Sequence, residues 1–199
     1  MTESIRVIDN FLPIEIFQSL AANLMECPGY KCSDFSAAEE EADGSKFHFG
    51  EHNPNPNTKL HEHCSTFILF QNDRNPDADL IHNLFHHLKP EMDALYKALN
   101  VKKMNILRAN CTTAAQENYV STFHTDFNLH PFGKKMRTAI LYLNTNNGGT
   151  QLKKDNGEIQ FVQSKMNRIV IFPWETYHAG VWCTDKKLRF VLNINYIEN

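Results

Sequence analysis

The sequence predicts a mainly β fold, a sandwich or barrel, with helices ahead of it. Three observations carry this. From Met104 onward, short apolar or alternating runs recur between Gly, Asn and Asp turn signals, as they do in sandwiches and barrels. Before them, two stretches place apolar residues at helical spacing. The last run alternates strictly. Leu188, Phe190, Leu192, Ile194 and Tyr196 share one face, and Arg189, Val191, Asn193 and Asn195 share the other.

In order, residues 5–8 form a short apolar segment, a first strand. Pro13 then suits the first turn of a helix. Ile14, Phe17, Leu20, Ala21, Leu24 and Met25 carry its stripe over about 13–26, until Pro28-Gly29 stops it. Residues 27–63 change character to Asp, Glu, Gly, Ser, Asn and Pro with scattered aromatics. They read either as a surface loop with short irregular strands or as a lid that closes on substrate. Residues 65–70 read as a strand. Asp77 is a fair N-cap for a second helix with Leu80, Ile81, Leu84, Phe85 and Leu88 on its stripe. Pro90 kinks or divides that helix, and Met92, Leu95, Tyr96 and Leu99 continue it. Two helices can cover one sheet face.

Strands follow at 104–111, 118–126 and 137–144. In the third, Thr138, Ile140, Tyr142 and Asn144 alternate with Ala139, Leu141 and Leu143. Short strands at 150–153 and 158–162 flank Asp155-Asn156-Gly157, a tight hairpin signal. Residues 168–172 are a buried β-branched run, and strands at 177–183 and 188–197 complete the set. The chain reads as one domain, 1–199. Residues 1–100 are a helix-rich lead-in with a long loop, and 101–199 form the β core.

Composition narrows the function classes. The formal net charge is −3 and the sequence pI about 6.4, so there is no overall cationic footprint for nucleic acid. Lys pairs at 102–103, 134–135, 153–154 and 186–187 read as solvated loop tips or as a rim for an acidic substrate. Five Cys, an odd count with no Cys-x-x-Cys, argue against a disulfide framework and fit a reducing cytosol. The N-terminus lacks the basic start and apolar core of a signal peptide. No run approaches the ~20 apolar residues of a membrane span. A cytoplasmic location and no membrane partner are the expectation.

Metal-like patterns occur in three places. His61-Glu62-His63-Cys64 has no second ligand pair at zinc-finger spacing. His82 and His86 stand at i and i+4 with no third ligand nearby, as on an exposed helix face. His124-Thr125-Asp126 differs. On a strand, i and i+2 share a face, so His124 and Asp126 leave the backbone side by side, and His178 can join them from another strand. Two imidazoles and a carboxylate on one side of a metal leave three positions open, the facial triad of non-heme Fe(II) oxygenases. Arg189 and two Asn on the non-apolar face of the last strand suit a polar cavity that receives an anion. Arg108 and Asn110 are candidates for the same cavity in a register the sequence leaves open. Trp174 and Trp182 flank His178, either lining a substrate mouth or packing half-buried.

The order of these motifs resembles the 2-oxoglutarate/Fe(II) dioxygenases, in their prolyl-4-hydroxylase-like branch and its small stand-alone bacterial and phage type. The resemblance runs over roughly 105–196. It rests on Phe123-His124-Thr125-Asp126, on 138–144, on Asn147-Gly148-Gly149-Thr150, on 167–173, on Tyr177-His178-Ala179-Gly180 and on Lys187-Leu188-Arg189-Phe190. It implies a double-stranded β-helix, a jelly roll of cupin-like form. It implies Fe(II) on His124, Asp126 and His178, with no catalytic residue beyond these ligands. It further implies 2-oxoglutarate as cosubstrate, held through Arg189, Tyr142 and Thr150, with O2 consumed and ascorbate assisting. The expected activity is hydroxylation of a C–H bond of a protein side chain, amino acid or small metabolite, with release of succinate and CO2. Members of this branch tend to carry Tyr three residues before His-x-Asp, where this chain has Ser121. Several branches carry Lys, not Arg, at the cosubstrate position, which tells against collagen-type prolyl hydroxylation.

Two other readings share the triad. A nucleobase-demethylating oxygenase would want basic and aromatic base-stacking elements at the mouth. A cupin-like metal- or ligand-binding module without turnover would hold zinc in the same ligands, because imidazole and carboxylate do not by themselves choose iron.

Overall fold

The computed structural model describes residues 5–26, 31–34, 63–71, 87–126 and 135–199. The 27–63 lid, His61-Glu62, the Asp77 cap and His82 with His86 lie wholly or largely outside the described residues.

Among the described residues, ten strands and two helices follow one another. They are β1 (Arg6–Ile8), α1 (Ile14–Met25), β2 (Lys31–Asp34), β3 (His63–Gln71), α2 (Lys89–Leu99), β4 (Val101–Thr113), β5 (Met136–Tyr142), β6 (Gly149–Lys153), β7 (Ile159–Gln163), β8 (Arg168–Pro173), β9 (His178–Val181) and β10 (Leu188–Glu198). Pro13 sits at the N-cap of α1, where its missing N–H costs nothing and its carbonyl accepts from Phe17 N. Pro90 stands in the first turn of α2, and residues 77–86 of the expected longer helix lie outside the described residues. Asn100 ends α2 in the left-handed conformation (φ 54°), which Asn tolerates better than most residues.

The strands form two sheets. One has seven in the order β1-β8-β5-β10-β4-β3-β2, the other three in the order β7-β6-β9, and each of these neighbouring pairs is antiparallel. From β5 the chain passes through the large, small, small, large, small and large sheet in turn. This winding is the double-stranded β-helix that the resemblance implies.

Strand alternation divides the molecule into two cores. On one face of the large sheet, Ala139, Leu141, Phe190, Leu192, Ile194 and Tyr196 pack with Phe17, Leu20 and Leu24 of α1 and Met92, Leu95 and Leu99 of α2. Burying each of the larger apolar side chains stabilises by roughly 1.5–3 kcal/mol. On the other face, Ile140, Tyr142, Val170, Phe172 and Val191 meet Leu152 and Val162 of the small sheet. Asn167, at φ 59°, clamps the chain ahead of α1: its Oδ1 accepts from Leu12 N and its Nδ2 donates to Leu12 O.

One strand expectation needs correction. Residues 118–126 are not a continuous strand; they make two isolated bridges, Val120 with Val181 and His124 with His178. Between them the Ser121 hydroxyl takes a place in the ladder, accepting Gly180 N at 2.8 Å while Ser121 N donates to Gly180 O. A side chain that competes for backbone partners breaks the regular pairing. The β6–β7 connection is also longer than a two-residue hairpin. Lys153 pairs with Ile159, and within the loop Gly157 N donates to Lys154 O with Gly157 at φ 82°.

Candidate metal centre between the sheets

The bridge between His124 and His178 positions the site. His124 N donates to His178 O and His178 N to His124 O. This fixes the two imidazoles side by side, ring centroids 4.7 Å apart. Asp126, two residues past His124, reaches the same point. One ligand atom from each of the three lies within 4.8 Å of the others, a group that could hold a metal ion.

The hydrogen bonds around these side chains select which atoms face the centre. His124 Nδ1 lies 3.0 Å from Thr122 O, and His178 Nδ1 lies 3.1 Å from Thr176 O. A carbonyl only accepts, so each Nδ1 carries the proton and each neutral ring presents the Nε2 lone pair. Asp126 Oδ2 accepts from Asn195 Nδ2 at 2.7 Å, with Asn193 Nδ2 at 3.5 Å and Thr138 Oγ1 at 3.4 Å. Oδ1 is left toward the imidazoles, 3.6 Å from His178 Nε2 and 4.0 Å from His124 Nε2. Two lone-pair nitrogens and one carboxylate oxygen, each steadied by a second hydrogen bond, are the donor set of a facially bound divalent ion. The residues present fit such an ion.

Electrostatics agree. Burial alone would push the Asp126 carboxyl up, but His178, Arg108 and Asn195 hold it well below the usual carboxylate range. Burial, with the neighbouring His178, pulls His124 down. Burial also opposes charge on His178, yet the Asp126 carboxylate outweighs it and raises that imidazole. A cation held by these three side chains would pair with the Asp126 carboxylate and compete with any proton on His178 Nε2. The side chain of His124 keeps 29% of its surface exposed against 3% for Asp126, so the open side of the triad lies toward His124.

Arg189 lies on the inward face of β10 and is buried. Its Nη2 donates to Gly149 O at 2.9 Å and its Nε to Ser164 Oγ at 3.2 Å, and its guanidinium carbon stands 5.9 Å from the Tyr142 ring centroid. Both of these partners, a carbonyl and a hydroxyl, are neutral. Tyr142 donates its hydroxyl to Val162 O, and burial pushes its pKa up to about 12 although Arg189 opposes this. Thr150 Oγ1 is buried beside the Tyr142 hydroxyl, whose ionised form it favours. The register opposes Thr112 to Arg189, Asn110 to Val191 and Arg108 to Asn193. Directly paired residues share a face, so Arg108, Asn110 and Thr112 all join Arg189 on the inner side.

Sequence reasoning named the triad, Arg189, Tyr142 and Thr150, and the structure brings these to the inter-sheet side. It missed Asn195 and Thr138 as supports of Asp126. Both stood on polar faces of alternating runs, but their meeting depends on the pairing of Asn195 with Thr138 across β10 and β5. Trp174 and Trp182 are both buried, and Trp182 stacks edge-on with Tyr119 at 5.3 Å. No helix among the described residues is long and apolar enough to cross a membrane.

No protein-family model and no curated protein matches the chain. Solved structures resemble it across nearly its whole length. A prolyl-4-hydroxylase from Pseudomonas putida superposes with a TM-score of 0.58 at 14% identity, covering 100% of this chain and 94% of that one. A 2OG-Fe(II) oxygenase family oxidoreductase from Burkholderia pseudomallei gives 0.59 at 8% identity, covering 98% and 85%. The non-heme alpha ketoglutarate dependent epimerase SnoN of nogalamycin biosynthesis gives 0.60 at 12%, covering 98% and 78%. Likeness at these identities is likeness of fold. The prolyl-4-hydroxylase-like resemblance is borne out at that level.

Proposed function

We propose that this chain is an Fe(II)- and 2-oxoglutarate-dependent oxygenase that hydroxylates a C–H bond of a protein side chain, amino acid or small metabolite. One observation carries the reading: a His-Asp-His donor set and a buried Arg face the same inter-sheet side of a fold shared with 2-oxoglutarate oxygenases. In this reading His124, Asp126 and His178 hold the iron. Arg189 pairs with the distal carboxylate of 2-oxoglutarate, beside Tyr142 and Thr150. Iron, cosubstrate and O2 together supply the oxidation and release succinate and CO2; the chain supplies position.

The residues' own work is orientation and exclusion of water. The Thr122 and Thr176 carbonyls hold both imidazoles in the Nδ1–H tautomer. Asn195 fixes the plane of the Asp126 carboxylate. Ile140, Val191, Leu152 and Phe172 pack an apolar layer between the sheets, which lowers the local dielectric and strengthens the Arg189–carboxylate pair. The reducing cytosol inferred from cysteine usage suits a ferrous site.

The test is succinate formation by purified protein with Fe(II), ascorbate and 2-oxoglutarate, with and without metabolite and peptide pools. The reading expects pool-dependent succinate, abolished together with iron binding in Asp126→Ala. No succinate with any pool, and unchanged iron binding in the variant, would overturn it in favour of a redox-silent metal- or ligand-binding module. A methylated oligonucleotide in the same assay separates nucleobase demethylation.

A further inference from the structure

The inner face of β4 carries polar atoms that the triad and Arg189 do not use. Among the described residues, Arg108 Nε and Asn110 Oδ1 are both buried without a hydrogen-bond partner. Among the described residues, the only ion-pair contact of Arg108 is Asp126 Oδ1 at 4.0 Å, beyond hydrogen-bond reach. That oxygen is the one turned toward the imidazoles, and Oδ2 already belongs to Asn195. Among the described residues, the guanidinium is therefore held beside the triad with its Nε lacking an acceptor. Its side chain keeps 18% of its surface exposed, against 3% for Asp126, so a ligand can reach it.

Charge gives the class of that ligand. A divalent ion, Asp126, Arg108 and Arg189 together leave three positive charges between the sheets. Dianionic 2-oxoglutarate cancels two. The remaining charge belongs to Arg108, and an unpaired charge in a site of this burial is costly. A single carboxylate cancels it with the planar fork that guanidinium favours; a phosphate dianion would overshoot. Arg108 stands four residues from Thr112, which faces Arg189, so about 13 Å of strand separate the two backbone positions. Arg108 thus sits at the metal end, away from the distal carboxylate. Asn110 adds an acceptor that suits an N–H or O–H donor near the same group.

We infer that Arg108, assisted by Asn110, binds a carboxylate of the prime substrate and so places the neighbouring C–H bond at the open side of the triad. This rests on the proposed iron and 2-oxoglutarate reading.

The experiment measures binding, not turnover, on the full chain loaded with Mn(II) and 2-oxoglutarate. Probes are the pool of free L-amino acids, a pool of mono- and dicarboxylic acids, and the same compounds as carboxamides. N-acetylated, C-amidated aspartate and glutamate separate a free acid from an acidic residue within a peptide. The expected result is affinity for at least one carboxylate probe that its amide lacks. It weakens at least tenfold in Arg108→Gln and partly recovers in Arg108→Lys, while 2-oxoglutarate affinity stays within twofold. Three results would overturn the assignment: amides binding as well as acids, no probe binding, or Arg108→Gln weakening 2-oxoglutarate itself tenfold. Failure of the wild type to take up Mn(II) and 2-oxoglutarate would instead sink the underlying reading, and this proposal with it.

Discussion

At the scale of single residues, the site depends on hydrogen bonds that decide which atom of each side chain faces inward. Asn195 is fully buried and joins Asp126 Oδ2 at 2.7 Å to Thr138 Oγ1 at 3.0 Å. Asn195→Ala removes the donor and lets the carboxylate rotate. Metal affinity, measured by titration, should fall by roughly 10- to 100-fold, the usual effect of losing a group that orients a ligand, while the circular dichroism spectrum is kept. His124, Asp126, His178 and Arg189 were legible because their types are specific to metal and anion chemistry and their order along the chain is informative. Asn195, Thr138 and the facing of Arg108 were not. An Asn on a polar strand face says only that the face is polar, and its partner is set by a register that long-range pairing decides.

At the scale of elements, the Gly pair before β6 has a steric rather than a conformational reason. A Cβ on Gly149 would stand 2.3 Å from Val162 O, and one on Gly148 would stand 2.5 Å from Val181 O. Backbone of the neighbouring strands fills the space on both sides, and it cannot step aside as a side chain can. Gly149→Ala should destabilise by about 1–3 kcal/mol, read as a lower urea midpoint. Because Gly149 O also anchors Arg189, 2-oxoglutarate binding should weaken with it. The start of the sheet is tied electrostatically: Asp9 takes Arg168 at 2.6 Å and Lys165 at 2.9 Å. Those partners hold its carboxyl below the usual range, against a small opposing effect of burial. A depressed carboxylate contributes stability that is present above its unfolded value and is lost as pH falls through the folded one. Asp9 is more than a third exposed, so the effect is small. Asp9→Asn should cost about 1–2 °C of Tm at pH 7, and the difference should close in strong acid. Most strands were legible from period and turn residues. The 118–126 strand was not, since nothing in residue type announces that the Ser121 hydroxyl will stand in for a backbone group.

At the scale of the whole molecule, the large sheet separates two roles: helices and an apolar core on one face, the candidate metal site on the other. The strict alternation of β10 announced this division, and the structure shows what each face meets. We infer that the described parts fold as one cooperative unit, because β1 pairs with β8 and both helices share a single core with β4, β5, β8 and β10. Phe17→Ala in that core should then cost about 3–5 kcal/mol, lowering one thermal transition by roughly 2–4 °C per kcal/mol. Metal affinity of the folded protein should stay unchanged. Two separated transitions would argue for separate units. The central claim, that the triad and Arg189 together hold iron and 2-oxoglutarate, meets its most direct test in an anaerobic titration. Adding 2-oxoglutarate to the Fe(II) protein should produce a weak visible absorption that saturates at one equivalent. It should be absent in Asp126→Ala and shifted to at least tenfold higher concentration in Arg189→Gln. No absorption in the wild type, with Fe(II) demonstrably bound, would contradict the account.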